Sequence, residues 1–161
     1  MEGRTLEELF AGRNYDIDAS FQRMKTLMDQ EGLPYEKRTH TYNSRLAQEI
    51  GKWADTDHPE RADAVHDGFY RAYFVDRRNI AEEDVILDVV RAAGLPEDEA
   101  RDVLATRRFK DAVDADWAKS HQYGITGVPT FVCGGYGVVG AQPYETLVQF
   151  LEQVGVAKAA E

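Results

Sequence analysis

Only one stretch of this chain reads as β structure. In residues 124–145, GITGVPTFVCGGYGVVGAQPYE, two short runs rich in Val, Phe and Tyr flank Gly134-Gly135. A Gly-Gly pair between such runs marks a tight hairpin turn, because both central residues need positive φ. Strands are therefore expected at residues 130–135 and 136–140, with a helix opening at Pro143. Two strands do not make an independently stable sheet. Either the hairpin lies on helices, or the sheet is completed by something this sequence lacks.

Everywhere else the period is helical. In DIDASFQRMKTLMDQEG the apolar residues Ile17, Phe21, Met24 and Met28 recur at spacings of three and four, one face of an amphipathic helix. Asp16 or Asp18 suits its N-cap, and Gly32 with Pro34 its end. YNSRLAQEIGKWA repeats the pattern with Leu46, Ile50, Trp53 and Ala54, behind Asn43 or Ser44 as cap. Further helices are expected in HPERADAVHDGFYRAYFVD, AEEDVILDVVRAAG, PEDEARDVLAT, RFKDAVDADWAKSHQYG and PYETLVQFLEQVG. The predicted architecture is mostly α with one small β-hairpin. Residues 1–123 form the helical region and 124–161 the hairpin with its closing helix, as one compact unit.

Composition narrows the function. With 43% hydrophobic residues in 161, the chain is long enough for one cored domain. A net charge of −10 argues against a nucleic-acid or anionic-membrane surface. The single cysteine, Cys133, excludes an intrachain disulfide and a thiolate-rich zinc site. No run is long enough to cross a bilayer, and the acidic MEGRTLEELF does not read as a signal peptide. A cytoplasmic protein is expected.

Individual candidates are few. His58 and His66 stand eight apart, not at the four-residue spacing of a helical metal pair, and no metal site is predicted. His121 sits at a helix end, where it suits the dipole. Cys133 is expected to be buried and inert. The Asp and Glu residues show no paired constellation beyond caps and exposed faces. Gly140, Ala141 and Gln142 precede a helix, so their backbone N–H groups either bind an anion or form a simple entry turn. Pro129 either opens an edge strand in the trans form or, in the cis form, exposes backbone donors and acceptors for an added peptide strand.

GITGVPTFV, followed by the glycine turn and GAQP, resembles the second half of a thioredoxin-like domain of the DsbA family. GLPYEKRTHTYNSRLAQEIGKWA resembles the helical insertion of its FrnE-like and 2-hydroxychromene-2-carboxylate isomerase-like branch, with Asn43 and Arg45 matching the pattern at a helix start. A cap and a surface cation account for those two equally well. The resemblance runs from about Glu2 to Val154. It implies a cis Val128-Pro129 bond and a loop, Val128, Pro129 and Thr130, that presents backbone to a substrate peptide. It also implies thiol-disulfide exchange or glutathione-linked chemistry, with Gly140–Gln142 near the carboxylate end of a thiol ligand.

The family's opening strand, its CxxC or serine-containing helix start and its second strand would fall before Met1. No catalytic residue is therefore assigned, no cofactor is assigned, glutathione being only a thiol ligand that the resemblance allows, and the chain alone is expected to be inactive in dithiol exchange. The alternative is a truncated, non-catalytic binding or assembly protein. Because TFVC would lack its neighbouring strand, a homodimer through the hairpin edge is expected.

Overall fold

The computed structural model describes residues 3–157. The chain divides into two compact units, Met1–Val113 and Asp114–Glu161. Among the described residues it is a mostly helical protein, with eight helices and two small antiparallel strand pairs.

The first unit opens on β1 (Arg4–Thr5), which pairs antiparallel with β2 (His40–Thr41). Between them lie α1 (Leu6–Phe10) and α2 (Ile17–Gln30). Thr5 starts α1 through a capping box, its hydroxyl accepting from the Glu8 N–H while the Glu8 carboxylate accepts from the Thr5 N–H. Asp16 caps α2, accepting from the Ala19 N–H at 2.9 Å. Neither strand β1 nor β2 was expected from sequence. Two residues cannot display an alternation, so no period announced them.

The core is built by α3 (Arg45–Asp57), α4 (Pro59–Phe74), α5 (Glu83–Ala92) and α6 (Glu97–Thr106). Helix α3 packs on α4 and α6, and α5 packs on α4 and α6. Ile50 and Trp53 from α3, Val65 from α4, Ile86 and Val90 from α5 and Val103 from α6 are fully enclosed. Each such aliphatic side chain contributes about 1.5–3 kcal/mol by leaving water. Gly68 is what lets α4 approach α5, since a Cβ there would stand 2.7 Å from Val89 Cγ1.

One apolar face behaves otherwise. Helix α2 carries the expected stripe, yet none of its residues is buried.

Helix α7 (Lys110–Gln122) runs across the division between the units. The second unit continues with β3 (Thr130–Cys133), β4 (Tyr136–Val139) and α8 (Tyr144–Gln153). The register pairs Thr130 with Val139, Phe131 with Val138, Val132 with Gly137 and Cys133 with Tyr136. Gly134 and Gly135 both take positive φ, 58° and 82°, the requirement of a two-residue turn matched to strand twist. No helix of the described residues is long and apolar enough to cross a membrane.

Candidate functional site

Helix α7 ends in a glycine motif that sets the direction of the chain. The Gly124 N–H donates to the His121 carbonyl at 2.9 Å and the Ile125 N–H to the Ser120 carbonyl at 3.1 Å, with Gly124 at φ 68°. This paired closure satisfies the last helical carbonyls and turns the backbone out of the helix. The loop that follows reaches the Val128-Pro129 bond, which is cis. Thr130 fixes its near end by donating its hydroxyl to the Gly127 carbonyl at 2.6 Å.

The loop and the GAQP turn lie side by side. The Gly140 N–H donates to the Pro129 carbonyl at 2.8 Å, extending the β3–β4 ladder by one rung. In an antiparallel ladder the bonded pairs alternate, so residues 131 and 133 face β4. Thr130 and Val132 then direct their backbone groups to the outer edge of β3, which has no partner strand among the described residues. Val128, immediately before, is 90% exposed. Within the turn, the Gln142 side-chain amide donates to the Val139 carbonyl at 2.8 Å. The Gly140 N–H and this amide are thus committed internally, whereas the Ala141 and Gln142 backbone N–H groups donate no hydrogen bond among the described residues.

Cys133 differs from its expectation. It is half-buried rather than enclosed and belongs to the far end of β3, beside the Gly134–Gly135 turn. Four residues of extended strand separate it from Pro129 by about 13 Å. It lines a cavity of about 550 Å³ whose walls include Phe131, Leu147, Phe150 and Leu151. Phe131 and Val132 on β3 remain 39% and 42% exposed.

Asn43 and Arg45 belong to the other unit. The Asn43 side-chain oxygen accepts from the Arg45 N–H at 2.9 Å at the start of α3. Arg45 is not a surface cation. Its Nε donates to Glu49 Oε1 at 2.9 Å and its Nη2 to the Lys110 carbonyl at 2.9 Å.

Glu49 is the residue that sequence reasoning missed. Its side chain is 1% exposed, and it also receives both ends of the Arg107 guanidinium, at 2.7 Å each. The hydrogen bonds from Arg107, chiefly, hold its carboxyl below the ordinary range, against the opposing push of burial. Arg107 closes α6 in the left-handed region at φ 55°. The Arg45–Glu49 spacing is visible in sequence as an i, i+4 pair. Its enclosure is not, because Arg107 comes from 58 residues away.

The histidines do not converge. His58 is the N-cap of α4, outside the helix, and stands 3.4 Å from Glu99, whereas His66 stands 2.8 Å from Asp55. No group of three metal-ligating side chains occurs among the described residues.

A hairpin with a Val-Pro bond at its entrance, a glycine turn at its exit and a closing helix, together with a helical unit, is the arrangement of a thioredoxin-like half joined to helices. Residues 7–152 match the DSBA-like thioredoxin domain family. The chain belongs to that family. It is also similar to the crystal structure of a probable DsbA oxidoreductase, SCO1869, from Streptomyces coelicolor, at 30% identity and a TM-score of 0.83, covering 99% of this chain and 71% of that one. No curated protein sequence matches.

Proposed function

We propose that the chain binds an extended thiol-bearing peptide, glutathione included, at the entrance of β3, and that it does not carry out dithiol exchange alone. The observation behind this reading is the exposed Val128 leading into an outer strand edge whose backbone groups at Thr130 and Val132 are unpaired among the described residues. An extended peptide adds to such an edge by main-chain hydrogen bonds. The Ala141 and Gln142 N–H groups would meet its carboxylate. The family is one of oxidoreductases, but exchange needs an attacking and a resolving thiol, and this sequence has one cysteine. Within the family we assign it to the FrnE-like branch on residues 32–54, and to the reducing cytoplasm, where a lone thiol stays reduced.

Titration with S-methylglutathione, followed by amide NMR shifts, tests this. Shifts are expected at Val128, Thr130, Val132 and Ala141. Val128→Pro removes one backbone donor and should weaken binding by about 1 kcal/mol, roughly fivefold. Shifts confined to other parts of the chain at millimolar ligand would refute the reading.

A second reading, that of a non-catalytic assembly protein, is favoured by the half-exposed Phe131 and Val132 and by the apolar cavity beside them. Two copies of β3 meeting antiparallel would give one four-stranded sheet and pair the outer backbone groups of both strands. Light scattering should then report a dimer at micromolar concentration. A stable monomer there would exclude this assembly.

A further inference from the structure

We infer that the helical unit carries a separate binding site for a straight-chain carboxylate, along the apolar face of α2. This face is the amphipathic stripe that the fold leaves without a buried residue. Two cavities lie along it. One, of about 260 Å³, is lined by Ile17, Phe21 and Arg38 among others. The next, of about 380 Å³, is lined by Met28, Leu33 and Tyr70. Both include Met24, Tyr35 and Phe74, so they succeed one another along the helix. From Ile17 to Met28 the stripe runs about 16 Å.

The chemistry of the occupant follows from Arg38. Four arginines of the described chain are half-buried: Arg38, Arg45, Arg78 and Arg107. Arg45 and Arg107 hold Glu49, and Arg78 holds Asp88. Arg38 alone has no carboxylate partner among the described residues. Its guanidinium lies 4.9 Å from the ring centre of Tyr73 and 5.6 Å from that of Phe74, and it donates to the Tyr73 hydroxyl. A chain with ten more acidic than basic residues has no shortage of carboxylates, and a half-buried cation ordinarily takes one.

The neighbouring Lys37 is already held by Asp18. One cation without a carboxylate matches a monoanion rather than a phosphate dianion. A carboxylate presents two oxygens to the guanidinium fork. Behind it, the long groove suits an unbranched tail, since Met24 and Met28 adapt their thioether chains to irregular apolar shapes. Elongation and flexible walls favour an alkyl chain over a compact ring.

The site is tested on the whole chain labelled with ¹³C-methyl methionine, using dodecanoate below its micelle concentration as the probe. The Met24 and Met28 methyl signals are expected to shift in a saturable way. Arg38→Gln should weaken dodecanoate by roughly tenfold or more and leave the affinity for 1-dodecanol unchanged. Methyl signals of the unliganded variant that match those of the parent establish that it is folded. Met28→Glu, which puts a carboxylate in the path of the tail, should abolish binding and serves if Arg38→Gln does not fold. The inference fails if the two methyl signals do not move at millimolar dodecanoate. It also fails if 1-dodecanol or dodecyltrimethylammonium binds as tightly as dodecanoate, or if Arg38→Gln binds like the parent.

Discussion

Glu49→Ala is expected to destabilise the helical unit by about 3–5 kcal/mol. The carboxylate is enclosed, and it ties the first turn of α3 to the end of α6 through Arg45 and Arg107. Removing it leaves two guanidinium groups, 24% and 40% exposed, facing one another across an emptied site. Their partial exposure places the outcome at the lower end of that range. Urea unfolding checks it, as a fall in midpoint at unchanged slope. A midpoint within a few tenths of the parent would mean that the network does not lock these helices.

The same group sets an acid limit. Because the folded carboxyl titrates below its ordinary value of 4.5, the unfolded chain binds its proton more readily. The contribution is therefore complete above about pH 4.5 and declines as pH falls through the lower, folded value. Asp88, beside Arg78 and Arg91, and Glu97, beside Arg91 and Arg101, are lowered in the same sense by hydrogen bonds to those arginines. Their carboxylates are only partly covered, 44% and 30% exposed, so solvent screens these pairs and they contribute little. The acid limb should accordingly be shallower in Glu49→Gln than in the parent.

No turnover is expected in insulin reduction or dithiol oxidation, with dithiothreitol or with glutathione as the thiol. A thiol probe should count one reactive sulfur per unfolded chain. Exchange proceeds by thiolate attack on a disulfide sulfur, forming a mixed disulfide that a second thiol must resolve. Cys133 can supply at most the first step. It lies about 13 Å along β3 from the loop at Pro129, beyond a peptide sulfur held there. Cys133→Ser should therefore behave like the parent in both turnover assays. Turnover well above buffer that disappears in Cys133→Ser would show that this thiol is catalytic and overturn the assignment.

Most of the helices were legible because each has one face to bury and a residue that ends it. The bounds of α3, α4 and α5 fall within two or three residues of the amphipathic segments that announce them. The hairpin was legible because Gly134-Gly135 admits few other conformations. What escaped was non-local. The β1–β2 pair joins Arg4 to Thr41 and Thr5 to His40 without any internal pattern in either strand. Cys133 was expected inside because free cysteines are usually buried, a tendency that does not say whether anything covers this particular side chain. Glu49 looked like one more acidic residue on an amphipathic helix, because its enclosure depends on a guanidinium from another helix end. Loop and turn were associated only through the family resemblance, and the Gly140–Pro129 hydrogen bond is the contact between them.

Arg107 occupies a position at which local and distant demands disagree. A left-handed helix terminus favours glycine or asparagine, and an arginine there bears a backbone penalty of the order of 1 kcal/mol. The sequence keeps the long cation, and its guanidinium closes on Glu49 through Nε and Nη2. Such a point of frustration is informative, since natural chains mostly remove disagreements of this kind. Statistical redesign of the α6 terminus would install glycine, improve the turn in isolation and sever the tie between two helices. The residue that a local rule scores as a defect is the one through which the two ends of the helical unit recognise each other.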